Sequence, residues 1–203
     1  MMNPLRLLFA PLALALTVSP ALAEKIPLAQ ISSYLNSLRT AEAPFQQTNA
    51  DGSTSSGTVI IRRPGRMRFE YGPPDRTLVL ASGGQVAVFD GKSNQPPEQY
   101  PLKKTPLNLI LAAKVDLSRD KMVVGHTESG PLTIVTAQDP QNPEYGTLQL
   151  AFSANPVVLK QWVVTDEAGG RTTVVLGPLE TGKSYRPSTF SIHAEAERQK
   201  RRK

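Results

Sequence analysis

The chain has 203 residues, with 23 Lys and Arg against 17 Asp and Glu, and no cysteine. The lack of cysteine excludes disulfides, thiol nucleophiles and thiolate metal sites together. Arg198, Lys200, Arg201, Arg202 and Lys203 crowd the last six positions, so much of the formal charge of +6 is a terminal feature and does not mark the body as a nucleic-acid-binding surface.

Residues 1–23 read as a secretory signal. Arg6 supplies the positive charge, residues 7–18 form an apolar run interrupted by Pro11 and Thr17, and Ala21-Leu22-Ala23 is an A-x-A cleavage site. The run is too short for a spanning helix, which needs about 20 apolar residues. The mature chain is expected to begin at Glu24, with no cysteine after the cut to carry a lipid anchor. Its 180 residues (203 minus 23) suit one domain over 24–195, followed by a basic, disordered tail over 196–203.

In the mature chain, Leu28, Ile31, Leu35 and Leu38 make one stripe of an amphipathic helix predicted over 26–39, with Pro27 in its first turn. Residues 45–50 read as a short polar strand, and Asp51-Gly52 with the following serines as a hairpin connection. The stretch GTVIIRRPGRMRFEY (57–71) then gives two strands about a Pro64-Gly65 turn. In its second half Met67, Phe69 and Tyr71 alternate with Arg66, Arg68 and Glu70, so one face is apolar and the other charged. Strands follow over 77–81 and 85–90, and a weaker one over 98–103, which has a proline near each end.

Residues 105–114, TPLNLILAAK, read as a helix with Thr105 as cap and Pro106 at its first position. It is apolar nearly all round and so must be buried on more than one side. A polar turn or short helix is expected over 115–121. Strands are predicted over 122–124, 132–137, 147–153, 157–165 and 171–176, the last two joined as a hairpin through Asp166 to Gly170. Residues 188–193 are a final candidate strand.

The pattern is about ten short strands with helices confined to the start and middle. The connections are too short for parallel crossovers. The fold class is therefore α+β: a long, strongly curved antiparallel sheet with two or three helices on one face.

Chemistry-bearing constellations are sparse. His126 and His193 have no metal-ligand spacing to a partner, and no nucleophile-elbow or phosphate-cradling motif is present, so neither an enzyme nor a cofactor is expected. Arg62, Arg63, Arg66 and Arg68 lie near Phe69 and Tyr71, a composition that suits nucleic-acid stacking. Alternation, however, puts Arg66 and Arg68 opposite Met67 and Phe69, on a solvated side, so no nucleic acid is expected. What remains is either an apolar binding pocket under the curved sheet or a filled core. Alternation alone does not separate these two.

A strand ending in Arg63-Pro64, a turn, and a basic-aromatic strand closing in Glu70-Tyr71 resemble the periplasmic carriers of outer-membrane lipoproteins, the LolA family. The resemblance continues through Pro73-Pro74, the apolar strand near Leu78, Gly84 and the run Val86-Ala87-Val88-Phe89-Asp90. It covers most of the mature chain. Two positions depart from the family: Val86-Ala87-Val88 lacks the usual aromatic, and Gly83 stands where an acidic residue is common.

The resemblance implies an unclosed half β-barrel of about ten to eleven strands with helices as a lid over its concave apolar face. It implies a monomeric periplasmic carrier of acylated lipoproteins in a Gram-negative bacterium. An inner-membrane lipoprotein-releasing transporter would be its donor, and an outer-membrane acceptor or the outer membrane itself its destination. It assigns Arg63 as a latch onto lid carbonyls; the alternative for that position is a surface strand end. It puts Leu107, Leu109, Ile110 and Leu111 in the lid, and makes Met67, Phe69, Leu78, Leu80, Val86 and Val88 candidate cavity lining. The alternative is a carrier or sensor of the same fold for another lipid.

Overall fold

The computed structural model describes residues 25–93, 95–105 and 107–201. The signal segment and its cleavage site lie outside the described residues. The first element is helix α1 (Leu28–Ser37), followed by strands β1 (Thr40–Thr48), β2 (Thr54–Arg62), β3 (Arg66–Tyr71), β4 (Leu78–Ser82), β5 (Gln85–Phe89) and β6 (Glu98–Pro101). A 3-10 turn (Leu102–Lys104) leads to the short helix α2 (Asn108–Leu111). Strands β7 (Val123–Ser129), β8 (Leu132–Gln138), β9 (Thr147–Ser153), β10 (Val158–Thr165), β11 (Arg171–Leu176) and β12 (Glu180–Thr181) come next, and helix α3 (Ile192–Arg201) ends the described chain.

All twelve strands form one antiparallel sheet in the order β6-β5-β4-β3-β2-β1-β11-β10-β9-β8-β7, with β12 paired to β1. Two meanders, β1 to β6 and β7 to β11, are thus joined by pairing β1 with β11. The sheet is not closed: β6 and β7 are its two edges. The register lines up an apolar row across it, through Met67 opposite Ile61, Phe69 opposite Val59, Phe45 opposite Leu176 and Trp162 opposite Leu150. Residues of this face, from β1 to β11, meet in one buried cluster with Ile31 and Leu35 of α1 and Leu109, Ile110 and Leu111 of α2. A single face converging on one cluster is what a sheet curled about that face produces.

The predicted stripe on α1 is realised: Ile31, Leu35 and Leu38 are buried and Leu28 is half-buried against the core. At its start, Pro27 supplies the carbonyl that Gln30 and Ile31 N–H groups bond. Gly65 has φ +70°, the left-handed turn geometry expected of a glycine after Pro64. Gly57 has a different role. A Cβ there would sit 2.8 Å from the ring of Phe45, so its absence lets Phe45 lie across β2 and stack on Phe69 with 3.9 Å between ring centroids.

Three expectations change. The helix predicted over 105–114 is one turn, Asn108–Leu111. Helix continuation would need the Leu111 and Ala112 carbonyls for later N–H groups; here Gly65 N–H (2.8 Å) and the Arg63 guanidinium take them. The last candidate strand, 188–193, is instead a 3-10 turn (Pro187–Phe190) and the start of α3. Ser191 starts that helix, its hydroxyl accepting from Ala194 N–H at 3.1 Å. Residues 196–201, expected as disordered tail, are the body of α3.

Of the three helices, α1 and α2 lie on the concave side, while α3 lies on the opposite face of the sheet. Ile192 and Ala196, four apart on one helical face, pack on Leu78, Leu80, Ala87 and Phe89. Glu195, 5% exposed, receives Arg68 at 3.3 Å and Arg198 at 2.8 Å. Removing everything after Ser191 is expected to expose this second cluster. Calorimetry should then show a loss of at least about 2 kcal/mol, or roughly 4–8 °C in Tm, with new binding of an apolar dye. An unchanged Tm would mean that α3 does not stabilise the sheet.

Candidate functional site

The site is the contact between the apolar row of the sheet and the segment that crosses it from β6 to β7. Leu109, Ile110 and Leu111 are only 1–2% exposed and share a cluster with Met67, Phe69 and Val86. Leu107 is half-buried at the edge of the same cluster. The sheet side carries an aromatic group, of which sequence patterning singles out Phe69 and Tyr71 but not Phe45 or Trp162. Phe69 lies 5.2 Å from Tyr71 and 5.8 Å from Trp162, and Phe45 lies 5.1 Å from Tyr71. Its signal was Phe45, treated as part of a polar strand although it falls opposite Leu176.

The six candidate lining residues divide between the two faces. Met67, Phe69 and Val86 are in the cluster beneath α1 and α2. Val88, two residues beyond Val86 on β5 and opposite Val79, is on the same side and half-buried. Leu78 and Leu80 are on the other side, against α3, and cannot line the concave face. The sequence signal was present: β4 (LVLAS) and β5 (QVAVF) are apolar at consecutive positions, which marks strands covered on both faces, whereas β3 (RMRFEY) alternates.

Arg63 is buried, 8% exposed, so it is not a surface strand end. Its backbone N–H donates to Arg39 O at 2.8 Å. Its Nη2 donates to Ala112 O at 2.5 Å and reaches Asn36 Oδ1 at 3.5 Å. It meets one lid carbonyl rather than several. Its Nε is buried with no partner among the described residues, and no described carboxylate pairs with the group. Burial, and then the nearby charge of Arg39, pulls the guanidinium below the usual arginine value. A cation held this way is costly to bury and gains hydration when uncovered.

Two polar residues of α1 escaped sequence analysis. Ser32 (7% exposed) and Asn36 flank the Ile31–Leu35 stripe at i and i+4 and reach the segment after α2. The Asn36 amide donates to Val115 O at 2.8 Å and accepts from Val115 N–H at 2.9 Å. Ser32 Oγ accepts from Leu117 N–H at 3.0 Å. The arrangement holds a segment over an apolar surface. Among the described residues, no three His, Asp or Glu side chains gather as metal ligands.

A family model described as "Outer membrane lipoprotein carrier protein LolA" matches residues 36–193. The chain is 27% identical over 183 residues to an outer-membrane lipoprotein carrier protein of Methylococcus capsulatus, covering 86% of each. It is 24% identical over 189 residues to one of Azotobacter vinelandii, covering 89% of this chain and 90% of that one. Among solved structures, a putative outer membrane lipoprotein-sorting protein domain from Vibrio parahaemolyticus superposes with a TM-score of 0.51 at 8% identity, over 83% of this chain and 97% of that one. That last likeness concerns the fold alone.

The aromatic group also carries a titration signature. Burial pushes the Tyr71 hydroxyl, which donates to Gln47 Oε1 at 2.7 Å, up to about 12. An unfolded tyrosine titrates near 10. The unfolded state therefore loses its proton first, and Tyr71's contribution to stability is present below pH 10 and lost as pH rises toward about 12. Denaturant unfolding from pH 9 to 12 should show this fall, and Tyr71→Phe should make it shallower, with Tyr34 and Tyr185, also raised, left to contribute the rest. An equal fall in both proteins would place the titrating group elsewhere.

Proposed function

We propose, since the chain belongs to the LolA family of outer membrane lipoprotein carrier proteins, that it receives lipoprotein acyl chains on the concave apolar face once the α2 segment lifts. The observation that carries this reading is the fastening of α2. Three large apolar side chains are pressed on the sheet, yet the turn is held by one backbone bond at Leu111 and one bond from a poorly satisfied arginine at Ala112. A permanent core element needs no such charge. A removable cover gains from one, because opening rehydrates it.

In this reading Arg63 is the latch, Leu107, Leu109, Ile110 and Leu111 form the lid, and Met67, Phe69, Val86 and Val88 line the surface that it uncovers. Acyl chains need only a dry lining, and each buried methylene contributes about 0.8 kcal/mol. The work is binding and release, with no bond made or broken and no nucleotide or metal required. The signal segment, cleaved before Glu24, would deliver the protein to the periplasm. An inner-membrane releasing transporter would load it, and an outer-membrane acceptor, or that membrane, would take the cargo. A second reading, a carrier or sensor of another lipid, rests on the same apolar surface.

Native mass spectrometry of mature protein with a purified triacylated lipoprotein, and separately with phospholipid, tests the proposal. A one-to-one lipoprotein complex is expected, weakened at least tenfold by Leu109→Glu or Ile110→Glu, which put a carboxylate into the apolar contact. Binding of phospholipid alone would select the second reading, and binding of neither would leave a filled core. Arg63→Leu is expected to change stability by no more than about 1 kcal/mol while disturbing loading or transfer. Normal loading and transfer by that variant would count against the latch.

A further inference from the structure

The segment between β6 and β7 is held at two places that differ in kind. We propose that Asn36, with Ser32, is a fixed anchor for residues 115–117, and that the lid swings about Ala113–Lys114, ahead of this anchor. The inference rests on the proposed lid opening and adds the residues that limit it.

Both places are deeply buried; the anchor differs in having paired, mutually supported polar contacts. Asn36 makes a two-way bond with the Val115 backbone, the pattern by which one strand holds another. Ser32 accepts from Leu117 N–H and donates to Leu28 O at 2.7 Å, so its hydroxyl is itself fixed within α1. Val115 and Leu117 are 4% and 1% exposed in the main core, and separating them from α1 would strand buried backbone groups. Helix α1 is in turn tied to the sheet. Tyr34 OH accepts from Leu159 N–H at 3.2 Å, and Ile26 N–H, just ahead of the helix, donates to Thr133 Oγ1 at 3.0 Å.

Across the hinge the picture reverses. Ala113 and Lys114 are exposed, Ala112 is half-exposed, and the bond at Ala112 comes from the under-satisfied Arg63. Asn36 Oδ1 also touches Arg63 Nη2, so the anchor residue positions the latch without travelling with it. When Arg63 lets go, the single backbone bond from Gly65 N–H to Leu111 O is the remaining polar tie on the lid side; once it parts, residues up to Ala112 rise while Val115 and Leu117 stay seated.

Amide hydrogen exchange on the empty mature protein reads this directly. Arg63→Leu should speed exchange at Leu111 and Ala112 about tenfold and leave Val115 and Leu117 within about twofold of wild type. Asn36→Ala should speed Val115, and Asn36→Asp, which keeps the acceptor oxygen, should restore its protection. Ser32→Ala, read at Leu117, serves as an independent variant should Asn36→Ala fold poorly. The hinge is overturned if Arg63→Leu deprotects Val115 and Leu117 as much as Ala112, or if Asn36→Ala leaves Val115 protected. A synthetic triacylated lipopeptide added to wild type should alter exchange at 109–112 and spare 115–117. A lipopeptide that does not bind counts against the cargo reading, while the exchange pattern of the empty protein still decides the hinge.

Discussion

Burial of one apolar row, running across the sheet from β5 through the neighbours β1 and β11 to β8, constrains the rest of the molecule. An antiparallel sheet with a single wet face must cover the other. Curling brings that face together, but the sheet stops short of closure, and the edges β6 and β7 stay apart. The remaining apolar surface is covered by α1 and by the crossing segment with α2. The first is fixed by the stripe Ile31, Leu35 and Leu38, which lies fully inside. The second is a single helical turn whose exit carbonyls are taken by the strand end beneath it.

Under the proposed lid opening, this division would make ligand entry an exchange rather than a net gain of burial. Leu109, Ile110 and Leu111 already occupy the dry surface, so an acyl chain would replace their contacts with its own, at similar free energy per unit area. The balance between the closed and loaded states then turns on small polar differences. One is an arginine whose Nε is unsatisfied when the lid is down. A carrier that must both take and give up its cargo is served by near-equality of the two states, because a ligand shifts a conformational equilibrium only by its differential affinity.

Much of this was legible in the sequence because it depends on local pattern. The period-two strands, the Pro64-Gly65 turn, the stripe on α1 and the 165–171 hairpin all rest on contacts between near neighbours. What patterning missed depends on distant partners. The length of α2 was overestimated because its end is set by Arg63 and Gly65, over 40 positions earlier. Leu78 and Leu80 were put on the wrong face because alternation gives parity and not direction; only α3, over 100 positions later, shows which way they point. Sequence pattern reads α3 as strand and tail because His193 to Lys200 is polar on most positions, with Ile192 and Ala196 the apolar residues that pack it on the sheet beside the Glu195–Arg68 pair. Asn36 and Ser32 look like ordinary solvent-side residues of an amphipathic helix until Val115 and Leu117 are seen against them.

The strand order has one more consequence, for assembly. The crossing segment is the sole covalent link between the two meanders, yet their non-covalent seam lies elsewhere, where β1 meets β11 about 130 positions away in the chain. Each meander is built from neighbour-to-neighbour hairpins, whereas the seam pairs strands from opposite ends of the domain. A chain that emerges N-terminus first as it is synthesised therefore presents β1 as an unpaired edge until nearly all of the remaining domain has emerged. Pro44 lies within that waiting strand and, having no N–H to donate, interrupts the edge that a stray chain could otherwise extend.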